Sequence, residues 1–330
     1  MGAASDLESY LSRYRLLRPS AAPRAPEVAS PDPAVLRAAE LQRLAEAALQ
    51  PAAPHSLARE IALEEERLRQ LALTRPSALP PPRVDTGLDT LSEEQEAAVQ
   101  QALAPVGPPL QVKGDFRAFG ESEVTRENMA CMRLGIWLND EAINFYLALL
   151  HEREFRDAAA AKRAVPRVHF FSTFFYPKLF PEGGYCYKNV ARWTSAKKLK
   201  YCVLDCDLAV MPVHQGMHWC LAVLDLRACT ITYYDSLFGE DRTCLANLAR
   251  WLDDEAKDKG RKPLTPAACD WPRLYPKDIP QQKNGCDCGV FMLMYADWLA
   301  RNLPFAFRQA HMPELRRRVV AELLALRVRD

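Results

Sequence analysis

A cysteine, a histidine and an aspartate carry the chemistry that this sequence can do. Cys288 lies in the stretch Pro280-Gln281-Gln282-Lys283-Asn284-Gly285-Cys286-Asp287-Cys288-Gly289-Val290-Phe291. Pro280, Asn284 and Gly285 forbid regular structure in its first half and predict a turn. Beyond it, Val290, Phe291, Met294, Tyr295, Trp298 and Leu299 recur at helical spacing with no breaker before Pro304. Cys288 is therefore expected where a loop becomes a helix. Unpaired backbone N–H groups and the positive end of the helix dipole favour an anion there, so a thiolate is stabilised relative to the thiol. That is a position for a nucleophilic cysteine, although a small buried cysteine followed by glycine would fit this stretch alone equally well.

Two partners for the thiol lie upstream. Val210 to Leu224 contains two apolar runs flanking a short loop, and His218 opens the second run. After the connection Asp225-Leu226-Arg227-Ala228-Cys229 comes Thr230-Ile231-Thr232-Tyr233-Tyr234-Asp235-Ser236, a β-branched and aromatic run that ends in a carboxylate. As a hairpin, these runs bring a histidine at the start of one strand beside an aspartate at the end of the next, because antiparallel neighbours lie about 5 Å apart. An imidazole held by a carboxylate is the general base that a thiol needs, so His218, Asp235 and Cys288 form a candidate triad. The side-chain amide of Gln282 is able to donate to a developing oxyanion beside the Cys288 N–H. Gln281 offers the same group, and the residues alone do not choose between them.

The words His218-Trp219, Tyr234-Asp235-Ser236 and Gln282-x-Asn284-Gly285-x-Asp287-Cys288-Gly289, in this order, resemble the sentrin/SUMO-specific cysteine proteases of the ubiquitin-like-protease (ULP) group. So do Trp137-Leu138-Asn139-Asp140-Glu141, Val168-His169-Phe170-Phe171-Ser172-Thr173-Phe174-Phe175, Arg192-Trp193-Thr194 and Gln309-Ala310-His311-Met312-Pro313. The branch with Ile-Pro-Gln-Gln before the cysteine loop is the most similar. The resemblance covers residues 89 to 330 and implies an α+β fold of the papain-like type, a mixed central sheet flanked by helices. It selects Gln282 over Gln281 as the oxyanion donor. It also implies cleavage after the C-terminal Gly-Gly of SUMO, in precursors and in conjugates, with Trp219 and Trp137 as a clamp over the diglycine and Asp140, Arg192 and Trp193 as contacts to the modifier. Flat aromatic walls suit a backbone without side chains. The alternatives are a protease for another ubiquitin-like modifier and a catalytically silent SUMO-binding module. Cys286 departs from the relatives, where a non-thiol is more usual.

The elements that must position these residues are partly legible. Leu91-Ser92-Glu93-Glu94-Gln95 is a capping-box pattern leading into Val99 and Leu103. A short strand is predicted near Val112 to Phe119, a helix start at Thr125, and a longer helix capped by Asn139 with Ile143, Tyr146, Leu147 and Leu150 as its apolar stripe. Val168 to Phe175 reads as strand into helix with Thr173 available as a cap, and Leu245, Leu248, Ala249 and Leu252 mark a helix that stops by Gly260. The last helix opens at Pro313, burying Leu315, Val319, Val320, Leu323 and Leu324, with Arg316, Arg317 and Arg318 on its exposed and flanking faces.

Composition sets the frame. The 330 residues carry 43 Lys and Arg against 42 Asp and Glu, a formal net charge of +1, which offers no global field for nucleic acid or an acidic membrane. No apolar run reaches the roughly 18–20 residues of a membrane span, and the N-terminus lacks a secretory pattern. An intracellular protein is expected, and the resemblance implies a nuclear monomer. All 10 cysteines lie from Cys131 onward and are expected as reduced thiols. Cys202-x-x-x-Cys206 and Cys286-x-Cys288 do not make a zinc pattern, Cys220 and Cys229 are expected as small core hydrophobes, and no metal or cofactor is expected. Residues 1–88, rich in Ala and Pro, form an extension that is expected to be largely disordered or loosely helical, with Pro80-Pro81-Pro82 as the linker into the domain 89–330.

Overall fold

The computed structural model describes residues 90–262, 264 and 271–329; the reading of residues 1–88 lies outside them. Helix α1 (Glu93–Leu103) starts at Ser92, whose hydroxyl accepts from the Gln95 N–H while the Gln95 side chain accepts from the Ser92 N–H, the capping box that the sequence shows. A hairpin of β1 (Gln111–Phe116) and β2 (Gly120–Thr125) follows, and Thr125 caps the short α2 (Arg126–Met129). The expected single strand is thus two. Only Val124 of β2 is buried, so the alternating polar residues Glu121, Ser122 and Glu123 gave no apolar signal.

Helix α3 (Asp140–Ala160) begins where Asn139 accepts from the Ala142 N–H. Five strands then build the central sheet in the order β3-β4-β5-β6-β7, with β3 (Val168–Phe170), β4 (Leu208–His214), β5 (Trp219–Asp225), β6 (Thr230–Tyr234) and β7 (Arg273–Leu274). The inner pairs are antiparallel, whereas β3 with β4 and β6 with β7 are parallel, so the sheet is mixed. Alternation along β5 divides the core. Trp219, Leu221 and Val223 face α3, α7 (Cys288–Ala300) and α8 (Met312–Ala325); Cys220, Ala222 and Leu224 lie in the cluster that takes in α4 (Phe175–Leu179), the short α5 (Ala196–Leu199) and α6 (Arg242–Asp258).

Helix α7 is more enclosed than its apolar spacing implied. Every residue in it except Leu299 is buried, because it packs against β5 as well as against α3 and α8. Three local features differ from the expected ones. Thr173 does not cap α4: its hydroxyl accepts from Asn144 Nδ2 and its N–H donates to Asn144 Oδ1, both at 2.8 Å. Cys229 is exposed in a turn with φ 55°, not packed in the core. Arg316 and Arg318 are buried, not on an exposed face of α8.

At Gly289 the start of α7 packs closely against Trp219 of β5 and against Leu138. A Cβ there would stand 2.9 Å from Leu138 Cβ and 3.3 Å from Trp219 Cδ1. Gly289→Ala should therefore cost about 1–3 kcal/mol by overpacking, read as a lower urea midpoint with unchanged m-value. An unchanged midpoint would show that the start of α7 is free to move away from the sheet.

Candidate active site

The register of the central sheet delivers the histidine and the aspartate to one end. Leu221 pairs with Tyr234 across β5 and β6, so the chain positions beyond those partners converge there. His218 Nε2 lies 2.6 Å from Asp235 Oδ1, and both side chains are buried. Asp235 also accepts from the Leu237 N–H at Oδ1 (2.8 Å) and from the Gly239 N–H at Oδ2 (2.9 Å). Its orientation is therefore fixed from three sides. The Cys288 sulfur stands close enough to the His218 ring to help raise its pKa. Cys288 is the first residue of α7 and is 3% exposed.

The electrostatics follow from this packing. Burial alone would discharge the His218 ring, but the hydrogen bond to the Asp235 carboxylate, with the sulfurs of Cys220 and Cys288 beside the ring, holds its pKa well above the ordinary 6.5. Burial pushes the Asp235 carboxyl up, yet the His218 contact and the two backbone amides bring it below 3.8. The result favours an imidazolium–carboxylate pair. Cys220, two residues along the same strand face from His218, is pushed up to about 11 by burial and stays a thiol. His218, Cys220 and Asp235 have ligand-type atoms within 4.8 Å of one another. Because the Nε2 of His218 is already engaged by Asp235, this group is better explained by hydrogen bonding than by chelation. The nine described cysteines are free thiols.

Gln282 and Gln281 are no longer equivalent. Gln281 is exposed, whereas Gln282 is buried at 4%. Ser236 Oγ donates to Gln282 Oε1 at 2.9 Å, the Gln282 N–H donates to the Ser236 carbonyl at 3.0 Å, and Gln282 Nε2 donates to the Asn284 carbonyl at 2.5 Å. The amide is thus oriented with its NH₂ toward the cysteine loop. Ser236 and Asn284 were missed as holders of this side chain, although Ser236 directly follows the aspartate in sequence.

The two tryptophans differ in their surroundings. Trp137 is 36% exposed, with its indole N–H donating to the Gly285 carbonyl at 2.7 Å, so it is attached to the cysteine loop. Trp219 is buried, donates to the Leu138 carbonyl at 3.3 Å, and lies 4.3 Å from the His214 ring. Asp140 is half-buried in the first turn of α3, near enough to His214 to oppose the lowering of its pKa by burial. Arg192 and Trp193 are elsewhere: with Glu141, Asn144 and Phe174 they line a cavity of about 630 Å³, and none of His218, Asp235 and Cys288 lines it. Among the described residues no helix is long and apolar enough to cross a membrane.

The model of the Ulp1 protease family, C-terminal catalytic domain, matches residues 136–328, which include all the residues above. The chain belongs to the Ulp1 protease family. It is 40% identical to the ubiquitin-like-specific protease ESD4 of Arabidopsis thaliana over 271 residues, 81% of this chain and 54% of that protein. It is 37% identical to human sentrin-specific protease 2 over 234 residues, 71% of this chain and 37% of that one. The chain therefore spans about half or less of the length of these relatives. The C-terminal Ulp1 protease domain solved in complex with Smt3, the yeast ortholog of SUMO, superposes with a TM-score of 0.58 at 26% identity, covering 73% of this chain and 99% of that domain. The mixed sheet flanked by helices is the fold of this family.

The opposite pKa displacements of His218 and Asp235 make a testable link to stability. A folded-state imidazole pKa above 6.5 contributes stability that is full below pH 6.5 and is lost as pH rises through the folded value. A carboxyl held below 3.8 contributes stability present above pH 3.8 and lost as pH falls through its folded value. In thermal melts, the gap between wild type and Asp235→Asn should be widest from about pH 4 to 6.5 and narrow on both sides. A gap of constant size across pH would contradict the ion pair.

Proposed function

We propose that the chain is a SUMO-specific cysteine protease that cleaves after the C-terminal Gly-Gly of SUMO, both in precursors and in isopeptide conjugates. The observation that carries this reading is the 2.6 Å His218–Asp235 contact beside a thiol at the first residue of a helix. With Nε2 committed to Asp235, the other ring nitrogen, Nδ1, serves Cys288. Cys288 passes its proton to His218 and attacks the glycine carbonyl carbon as a thiolate; the carbonyl π pair moves to oxygen, where the Gln282 NH₂ and the Cys288 N–H donate to the anion. Collapse expels the amine, which takes a proton from His218, and leaves a thioester. His218 then accepts a proton from water, whose oxygen displaces the thiolate and releases the glycine carboxylate. Asp235 keeps the ring in one tautomer and stabilises its charge.

Trp137 and Trp219 act as walls over the diglycine, and Asp140, Arg192 and Trp193 meet the modifier. The relatives named above support SUMO as that modifier. The same reading takes residues 89–330 as the catalytic unit, working as a monomer without nucleic acid, and assigns a nuclear address by family likeness.

The test uses electrophilic probes terminated by SUMO, ubiquitin or the neddylating modifier. The SUMO probe should label Cys288 rapidly and the other two far more slowly; preferential labelling by either of those would leave only a protease for another modifier. Cys288→Ser and His218→Ala should abolish cleavage with modifier binding retained, and Asp235→Asn should lower turnover by about 10⁴ while leaving measurable activity. Near-normal turnover by Cys288→Ser would remove the nucleophile. Asp140→Arg should slow SUMO labelling without changing alkylation by iodoacetamide.

A further inference from the structure

Arg316 on α8 is fully buried, and its guanidinium is spent on two loops at once. Its Nε and Nη2 donate to Asp287 Oδ1 at 2.9 and 2.7 Å. Its Nη1 donates to the carbonyls of Cys131 (2.9 Å) and Arg133 (3.2 Å), and Nη2 to those of Ile136 (2.9 Å) and Cys286 (3.0 Å). The other oxygen of Asp287 accepts from Asn284 and Gln309, each at 2.7 Å. Asp287 stands just before α7 but does not cap it with its side chain. Its carboxylate serves Arg316 instead.

The chain positions give these contacts their meaning. Ile136 immediately precedes Trp137, and Cys286 and Asp287 immediately precede Cys288. One planar group therefore links the peptide ahead of an aromatic wall to the peptide ahead of the sulfur. Trp137 adds a second tie, through its indole N–H to Gly285. A flexible ammonium is unable to hold this many acceptors in one plane, whereas the guanidinium fork presents its donors at fixed angles.

We infer that Arg316 is a positioning residue that sets the spacing between Trp137 and Cys288, and with it the rejection of any side chain in the penultimate residue of the modifier tail. This rests on the diglycine-directed activity proposed above. If the spacing loosens, Gly-Gly tails lose alignment, since misplacement of about 1 Å can cost about 100-fold in rate. At the same time a larger residue gains entry. A residue that only stabilised the fold would lower the active fraction and slow all tails alike.

The experiment compares the 330-residue wild-type chain with Arg316→Lys, which keeps the charge and loses the fork. Probes are SUMO ending in Gly-Gly or in Ala-Gly, each with the same electrophile, with iodoacetamide as the channel-independent reference. In Arg316→Lys, labelling by the Gly-Gly probe should fall at least about tenfold, the preference for Gly-Gly over Ala-Gly should shrink severalfold, and alkylation should stay near wild type. Hydrogen exchange in peptides spanning 131–137 and 284–288 should rise together, and this measurement does not depend on any substrate. Unchanged preference, or all three rates falling in proportion, would overturn the positioning role, as would a rise in exchange confined to one segment. If the wild type failed to react with any diglycine probe while alkylation proceeded, the proposed activity would fall; coupled exchange would then separately report whether Arg316 joins the loops.

Discussion

The hydrogen bond between His218 and Asp235 is the constraint to which the rest of the structure answers. It requires β5 and β6 to pair in one register, because a slip of one residue would turn every side chain to the opposite face. The start of α7 approaches the same end of the sheet, which Gly289 permits by presenting no Cβ to Leu138 and Trp219. A buried charge pair is expensive unless its remaining valences are filled. Asp235 meets that condition with the amides of Leu237 and Gly239, and the Cys288 sulfur stands beside the His218 ring.

The same rule governs the cysteine loop. Pro280 to Asp287 has no regular structure, so its polar groups need partners of other kinds. Asn284 Oδ1 accepts from the N–H groups of Cys286 and Asp287, each at 3.2 Å, Ser236 and Asn284 hold Gln282, and the Tyr295 hydroxyl donates to the Pro280 carbonyl. Arg316 and Asp287 close the network beneath it. Removing one member of such a buried pair typically costs about 3–5 kcal/mol, because the other is left charged and unpaired. The loop that carries the chemistry is thus held by its own Asn284 and by side chains from the turn after β6, from α7 and from α8, and not by backbone ladders.

What was legible in the sequence was local or periodic. Ser92, Thr125 and Asn139 announced helix starts because a cap acts over three residues, and β4 to β6 announced a hairpin because its runs are β-branched and apolar. The approach of His218 to Asp235 followed from strand direction, whereas the place of Cys288 followed from the change of pattern between loop and helix. The holders of the site were hidden because they act across long stretches of chain: Arg316 lies 29 residues from Asp287 and 180 from Ile136. Its spacing did carry a signal, since it precedes Val319, Val320 and Leu323 by three, four and seven positions on one helix face. Strand β7, only Arg273 and Leu274, has no pattern to read, and both its residues are exposed.

The central claim is that a buried imidazole stays charged because Asp235 faces it. The direct measurement is a nitrogen-detected magnetic resonance titration of protein labelled at histidine, with His218 assigned by substitution. The account predicts that the His218 ring keeps both protons, with its Nε2 proton shifted strongly downfield, at pH values well above 6.5, and that Asp235→Asn lowers the titration midpoint. A midpoint at or below 6.5 in the wild type, unmoved by Asp235→Asn, would contradict it.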